Sequence, residues 1–455
     1  MTNLDAPGSR RRLTGWGRTV PSVAHVARPG SPEALETLVA TASARGATAR
    51  GLGRAYGDAA QNGGGIVLDC TALDGIGAID VGAGGATITV GGGTSLEAIL
   101  RAVLPAGWCL PVLPGTRHVT VGGAIAADVH GKNHHRVGAF SAHVEAFTLH
   151  AATGERRTVT RASDPVLFEA TTGGMGLTGV IIDATLCLVP IETRLMRVTT
   201  MHTADLDATM RALADADGGH AYSVAWLDLA SGRGRGMVGA ADHATRADAP
   251  DASLEAAPRA LRLTTPPLPV SVVNRATVRV FNEAWFRRPV PREALQPIES
   301  YLAPLDALDA WPRLYGPGGL LQYQCALPAG EEPALRAIVE AIRHAPTVPA
   351  LAVLKRFGPG SDAPLSFPLE GWTLAVDFPA GHAALGAFLD TLDERVAAAG
   401  GRVYLAKDAR MRAEIVPLMY PRLDEWRETQ SRMDPRGIFT SDLDRRLHLT
   451  RGSQA

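Results

Sequence analysis

The sequence predicts an α+β chain of two domains, and three observations carry that reading. Glycine is plentiful, 49 residues, and clusters in the first 180 positions between short β-prone runs and amphipathic helices. Past about position 190 those clusters thin out, and large aromatics such as Trp226, Trp311, Tyr323 and Trp372 sit in strand-like runs that suggest one aromatic-lined face. At 455 residues the chain has room for two or three cores, since domains run to roughly 100 to 200 residues each.

The elements follow in order. Ser31 and Pro32 open a helix as N-cap and first-turn proline; Leu35, Leu38, Val39 and Ala42 give it one apolar face, and Gly46 ends it. Ile66 to Leu68 and Thr87 to Val90 are β-rich runs between glycines, and Thr94 with Glu97 has the form of a capping box for a helix through Leu104. Val144 to His150 and Arg157 to Thr160 flank a turn at Thr153-Gly154, and Gly179 to Val189 reads as a long strand. Gly239 to Ala260, followed by the proline-rich Thr264 to Val270, reads as a mobile loop. Helical segments at Met411 to Met419 and Leu423 to Met433 close the chain and are expected to return to the first domain. The expected boundaries are 1–190, 191–410 and 411–455.

Composition narrows the function. Lys+Arg total 45 against 46 Asp+Glu, so no basic field invites nucleic acid. Cys70, Cys109, Cys187 and Cys325 form no CxxC pair and read as lone thiols, none expected near the glycine loops. Arg10-Arg11-Arg12 reads as a basic tail, because no apolar core of signal-peptide length follows it. The most apolar stretch, Gly176 to Ile191, is broken by Asp183 and falls short of a membrane span. Membrane contact, if any, is expected to be peripheral. Of the 45 basic residues only three are lysine: Lys132, Lys355 and Lys407. Arginine serves almost everywhere a surface charge suffices, so the compact, pKa-adjustable ammonium is kept where chemistry needs it.

Three loops carry the chemistry. The first, Ala49-Arg50-Gly51-Leu52-Gly53-Arg54-Ala55-Tyr56-Gly57-Asp58, exposes backbone N–H groups that can wrap a pyrophosphate. It is not a dinucleotide fingerprint, which would open a helix, whereas Gln61-Asn62-Gly63-Gly64-Gly65 follows here. The second runs from Pro114 through Gly122-Gly123 into Asp128-Val129-His130-Gly131-Lys132-Asn133-His134-His135, and the third is Gly173 to Gly179. Three such loops can clasp one long cofactor. His130 and His134 stand four apart, but Gly131 and Asn133 disfavour the helix a zinc pair would need; no metal site is expected.

The loops in this order, with Gly122-Gly123 and His130 to His135, resemble those of the flavoprotein oxidases of the vanillyl-alcohol-oxidase type. Leu13 to Thr19, Gln322-Tyr323-Gln324, Leu365 to Pro368, Ala406-Lys407-Asp408 and Met419 to Arg422 resemble the branch that oxidises a lipid-linked sugar, and the likeness covers about residues 13 to 448. The resemblance implies an FAD domain built from the N-terminal half and the C-terminal tail, with a substrate domain over the isoalloxazine. FAD contacts would fall on Arg50, Gly51, Leu52, Gly53, Arg54, Ala55, Tyr56, Gly57, Asp58, Gly115, Thr120, Val121, Gly122, Gly123, Asp128, His130, Ile181 and Tyr404. Many relatives bond flavin to a histidine in the first loop; Arg54 stands there, so non-covalent FAD is implied.

The substrate side, by the same resemblance, is Tyr56, Lys132, Trp226, Gln322, Gln324, Lys355 and Ala375, with His130, Lys132 and Lys407 as catalytic groups. Lys407 would stabilise charge near the flavin pyrimidine, His130 or Lys132 would take the hydroxyl proton, and Lys355 would hold a phosphate. Mycobacterial members carry, at Ala375, a cysteine captured by nitroaromatic inhibitors. The implied activity oxidises the 2′-hydroxyl of decaprenylphosphoryl-β-D-ribose to the 2′-keto sugar, the first half of epimerisation to the donor for cell-wall arabinan. A nicotinamide-dependent keto-sugar reductase would complete it, with quinone or oxygen taking the electrons, at the periplasmic or cytoplasmic side of the cytoplasmic membrane. The alternative is an FAD oxidase of small soluble sugars, alditols or aldonolactones.

Overall fold

A computed structural model describes residues 8–232, 234–255 and 263–454. The N-terminal sheet has four strands in the spatial order Ser9–Leu13, Ser22–Ala27, Ile66–Asp69, Ala47–Arg50. Arg10, Arg11 and Arg12 are therefore an edge strand rather than a tail: their backbone pairs antiparallel with Val23 to His25 while their side chains stay exposed. The helix after Ser31 runs Pro32–Ala40 and stops before Gly46, because Thr41 caps it by bonding back to the Thr37 carbonyl. The cap near Thr94 also moves by one residue. Ser95 accepts from Ala98 N, and the Thr94 hydroxyl instead ties the Gly75 backbone.

The second sheet is built around the long strand Val180–Pro190, which pairs with Gly85–Gly91 on one side and Val144–His150 on the other. Its alternation of buried and half-buried residues puts Ala184, Leu186 and Leu188 on one core. The third sheet, from residue 195 onward, has eight antiparallel strands. One of them, Gly236–His243, is central, flanked by Leu195–Thr203 and Tyr222–Leu227. The loop expected from Gly239 thus begins only after His243: Ala241 packs in one core with Tyr301, whose hydroxyl donates to the Gly239 carbonyl at 3.2 Å. Residues 256–262 of that expected loop lie outside the described residues, and Thr264 is part of a two-residue strand paired with Leu308–Asp309.

Helices Leu206–Gly219, Glu332–Arg343 and Leu385–Ala398 cover one face of the third sheet, burying Leu354, Leu374 and Val376 against Leu213, Ile338 and Leu392. The opposite face looks onto the glycine loops. The aromatics do not share one face. Trp311 and Tyr315 pack with Tyr56, Phe357 lies beside His130, and Trp372 sends its indole N–H to Glu332 on the helical side. The C-terminal segment returns to the first sheet, where Ala47 N donates to the Ile438 carbonyl at 2.7 Å and Thr440 N to the Ala47 carbonyl at 3.1 Å.

Candidate active site

A cavity of about 340 Å³ lies between the glycine loops and the open face of the third sheet. The loops come this close only because they lack side chains. A Cβ on Gly51 would meet Thr120 Oγ1 at 2.2 Å, so the first two loops touch through that glycine. A Cβ on Gly115 or Gly176 would meet nothing within 4 Å. Among the described residues, no protein oxygen accepts from the backbone N–H groups of Gly51, Leu52, Gly53 or Arg54. Unpartnered amides beside an open cavity suit the pyrophosphate and ribose oxygens of a dinucleotide, and the residues present fit FAD.

Antiparallel register sets the sheet side of the cavity. Trp226 pairs with Val353, Val353 with Ala375, and Ala375 with Gln324, so all four point to one face. Gln322 opposes Asp377 and Lys355 opposes Thr373 on that same face. Lys407 Nζ sits 3.8 Å from the Tyr56 ring centroid, and among the described residues no oxygen accepts from it. Burial lowers its pKa to about 8, against the pull of Asp377. The Asp377 carboxyl is pushed up to about 7 by burial; its Oδ1 accepts from Gln322 Nε2 at 2.6 Å and its Oδ2 is buried without a partner.

His130 is fixed at both ring nitrogens. Gln324 Nε2 lies 3.0 Å from its Nε2 and Lys355 Nζ 3.0 Å from its Nδ1. The direction of these bonds follows from Thr373, whose one hydroxyl proton goes to the Cys325 carbonyl at 2.9 Å. At Gln324, 3.2 Å away, that hydroxyl must accept, so an amide N–H stands there, and the other N–H faces His130 Nε2. Nε2 is then bare. Burial, the largest cause, holds His130 well below its ordinary pKa, so the neutral ring carries its proton on Nδ1. That proton points at Lys355 Nζ, which must accept it and is therefore an uncharged amine. Burial and the like charges of Lys132 and Lys407 bring Lys355 down to about 7, in accord with that assignment.

Of the sequence-derived residues, Arg50 to Tyr56, Gly115, Thr120, Gly122, Gly123, His130, Ile181, Gln322, Gln324, Lys355, Ala375, Tyr404 and Lys407 line the cavity. Six do not. Gly57 is glycine because Asp408 O would stand 1.8 Å from its Cβ, and Asp58 accepts from Nε and Nη2 of Arg446 at 2.9 and 2.8 Å, fastening the C-terminal helix. Val121 is inside the core of the second sheet. Asp128 is buried under Ser361, Ser366 and Ser141 N, which hold the turn that presents His130. Lys132 Nζ is bonded to the Tyr301 carbonyl, beside that ring, and does not reach the wall. Trp226 shares the face but sits one strand beyond Val353. The sequence reading missed Asp377 and Thr373, although strand alternation around Ala375 places both on the cavity face. Among the described residues no three metal-ligating side chains converge.

A match to the FAD binding domain covers residues 23–160. The chain is 42% identical to decaprenylphosphoryl-β-D-ribose oxidase of Mycolicibacterium smegmatis, over 99% of this chain and 100% of that protein. The chain belongs to the family of that oxidase. It is an FAD-dependent oxidoreductase with the α+β, two-domain fold of the vanillyl-alcohol-oxidase type. More distant likenesses keep to part of the chain. Alditol oxidase of a Streptomyces species is 31% identical over 39% of this chain and 42% of its own length, and cytokinin dehydrogenase 1 of rice, Oryza sativa subsp. japonica, 32% over 42% and 38%.

Two expected results arise directly from the walls of the cavity. Arg54 stacks on Trp16 at 3.7 Å and offers no carbon–nucleophile chemistry. Cys70 does reach the wall, contrary to the sequence reading, but burial pushes its thiol up to about 12, leaving it protonated and unreactive. Acid precipitation should therefore release the flavin into the supernatant; colour held in the pellet would contradict this. Ala375 lines the cavity as the expected strand face requires. When turnover reduces the nitro group of a nitrobenzothiazinone to nitroso, an adduct forms by addition of a thiol across N=O, and a methyl group offers none; the chain should stay without an adduct, whereas Ala375→Cys should gain one by mass spectrometry.

Proposed function

We propose that the chain oxidises the 2′-hydroxyl of a polyprenyl-phosphoryl ribose, decaprenylphosphoryl-β-D-ribose, to the 2′-keto sugar. A nicotinamide-dependent reductase would then complete epimerisation to arabinose, with quinone or oxygen reoxidising the cofactor, at the membrane surface. The division into 1–190 with 411–455 around the cofactor and 191–410 over it is part of the same reading. The observation that carries it is the polar row on the sheet face, Lys355, Gln324, Gln322 and Asp377, set across from glycine loops shaped for FAD. The full-length likeness to an oxidase so named supports the sugar and its lipid. The partial likeness to alditol oxidase keeps small soluble polyols as the alternative.

Bound FAD supplies the hydride-accepting ring. The remaining chemistry belongs to the chain. Gln322 and Gln324, each anchored to a neighbour, orient sugar hydroxyls without losing rotamer freedom at the moment of binding. Lys407 places a compact cation where negative charge develops. The proton acceptor is Lys355: a hydroxyl that reaches Nζ replaces the His130 N–H at its lone pair and can pass its proton there. His130, with Nε2 held by Gln324, is a positioning residue, and Lys132, fixed at Tyr301, is not assigned the base. A neutral amine is a poor phosphate clamp, so Lys355 loses that role. The test is anaerobic bleaching of the bound flavin by farnesylphosphoryl ribose but not by ribose, xylitol or an aldonolactone; the reverse preference would establish the alternative.

A further inference from the structure

The helix Arg275–Arg287 is amphipathic in the wrong sense for a helix of a globular core, which turns its apolar stripe inward. Inward it buries only Val278 and Asn282, the latter bonded to Asp228 at 2.7 Å. Outward it presents Val280 at 71% exposure, Phe281 at 58% and Trp285, the last two stacked one turn apart with ring centroids 5.9 Å from each other. Ala276 and Ala284 extend that stripe along the helix. Arg275, Arg279, Arg287 and Arg288 flank it, against one acidic residue, Glu283, which is already paired with Arg235 and Arg287. Arg288 lies over the Trp285 ring at 3.2 Å.

The segment leading into this helix is also apolar and exposed, with Leu263 at 60% and Val270 at 66%. It is fastened to the mouth of the cavity. Leu263–Thr264 pairs with Leu308–Asp309, Thr265 N donates to the Asp309 carbonyl at 2.9 Å, and Val272 N to the Leu314 carbonyl at 3.0 Å. Leu308, Asp309 and Trp311 line the cavity itself. Exposed apolar surface and arginine flanks thus belong to one stretch of chain that is hydrogen-bonded to the wall of the cavity.

We infer that this face docks on an anionic lipid surface. Val280, Phe281 and Trp285 enter the boundary between headgroups and acyl chains, and Arg275 and Arg279 meet lipid phosphates. Among the described residues no helix is long and apolar enough to cross a membrane, so such a face provides attachment without a span. It sets the cavity mouth against the bilayer, where a lipid-linked sugar can enter while its tail stays in the membrane. That last consequence rests on the substrate proposed above; the docking itself rests on the surface. A second copy of the chain would set these arginines against one another across a two-fold contact, since Glu283 is already paired, whereas an anionic surface complements them.

The test is co-sedimentation of the FAD-loaded protein with vesicles of phosphatidylglycerol and phosphatidylcholine in equal parts. Binding should weaken as salt rises, should be slight on phosphatidylcholine alone, and should fall at least tenfold in Phe281→Glu/Trp285→Glu and in Arg275→Glu/Arg279→Glu. Both pairs are exposed, so flavin content and oxidation of water-soluble farnesylphosphoryl ribose should stay as in the unaltered protein. Undiminished vesicle binding by both variants, or no binding by the unaltered chain, would overturn the inference, as would dimers in solution that the same substitutions disperse. If vesicles bind as expected but farnesylphosphoryl ribose is not oxidised, the docking surface stands and the substrate reading fails.

Discussion

Lys407→Met should slow anaerobic flavin reduction by about 10² to 10³, the usual effect of removing one preorganised charge-stabilising group. Lys407 is a buried cation with no oxygen partner among the described residues, above the Tyr56 face and in the field of Asp377. Its ammonium is free to meet charge that appears only during the reaction. Lys407→Arg should not restore the rate, because the planar guanidinium cannot stand in the same compact space over Tyr56. A second measurement separates this role from a structural one: the midpoint potential of the bound flavin should fall in Lys407→Met while flavin content stays unchanged. A variant with the original rate and potential would remove Lys407 from the reaction.

Lys355→Met should lower the rate of flavin reduction by about 10² to 10⁴, the range for loss of a positioned general base. The pH dependence gives the sharper result. Lys355 accepts a proton only as the free amine, and its pKa of about 7 makes it increasingly ammonium below neutrality. The reduction rate should therefore fall tenfold per unit as pH drops below 7, and fall again above about pH 8 as Lys407 gives up the charge that the reaction needs. Asp377 also titrates near 7, so the two must be told apart: in Asp377→Asn the acid limb should remain, and in Lys355→Met it should vanish. Gln324→Glu tests the hydrogen-bond chain. A carboxylate at 324 accepts from His130 Nε2–H, which moves the ring proton off Nδ1 and lets Lys355 donate as ammonium. Its acid limb should shift to higher pH by about a unit. An unmoved limb would mean that His130 does not govern the charge of Lys355.

The glycine loops and the scarcity of lysine were legible because both are local facts. A loop needs glycine to approach a ligand or another loop, and Gly51 against Thr120 shows the need directly. The strand at Ala375 was legible for a similar reason, since a period of two fixes its faces before any partner is known. Residue choice also located the C-terminal helices, and Leu423–Met433 has the bounds its pattern suggests.

What each residue does was set by partners far away in sequence. Gly57 and Asp58 sit in the cofactor-like loop, yet they serve Asp408 and Arg446, some 350 to 390 positions on. Lys132 and Lys355 are alike in sequence as rare lysines, but one is tied to the Tyr301 carbonyl and the other meets His130 across 225 residues. No local pattern ranks them, because charge state depends on which donors and acceptors converge and how much water is excluded. Local composition fixes which backbone can close around a dinucleotide and which side chains are candidates for chemistry. Their roles emerge when the chain folds, since a proton's position is a property of the whole chain of hydrogen bonds from Cys325 and Thr373 through Gln324 and His130 to Lys355.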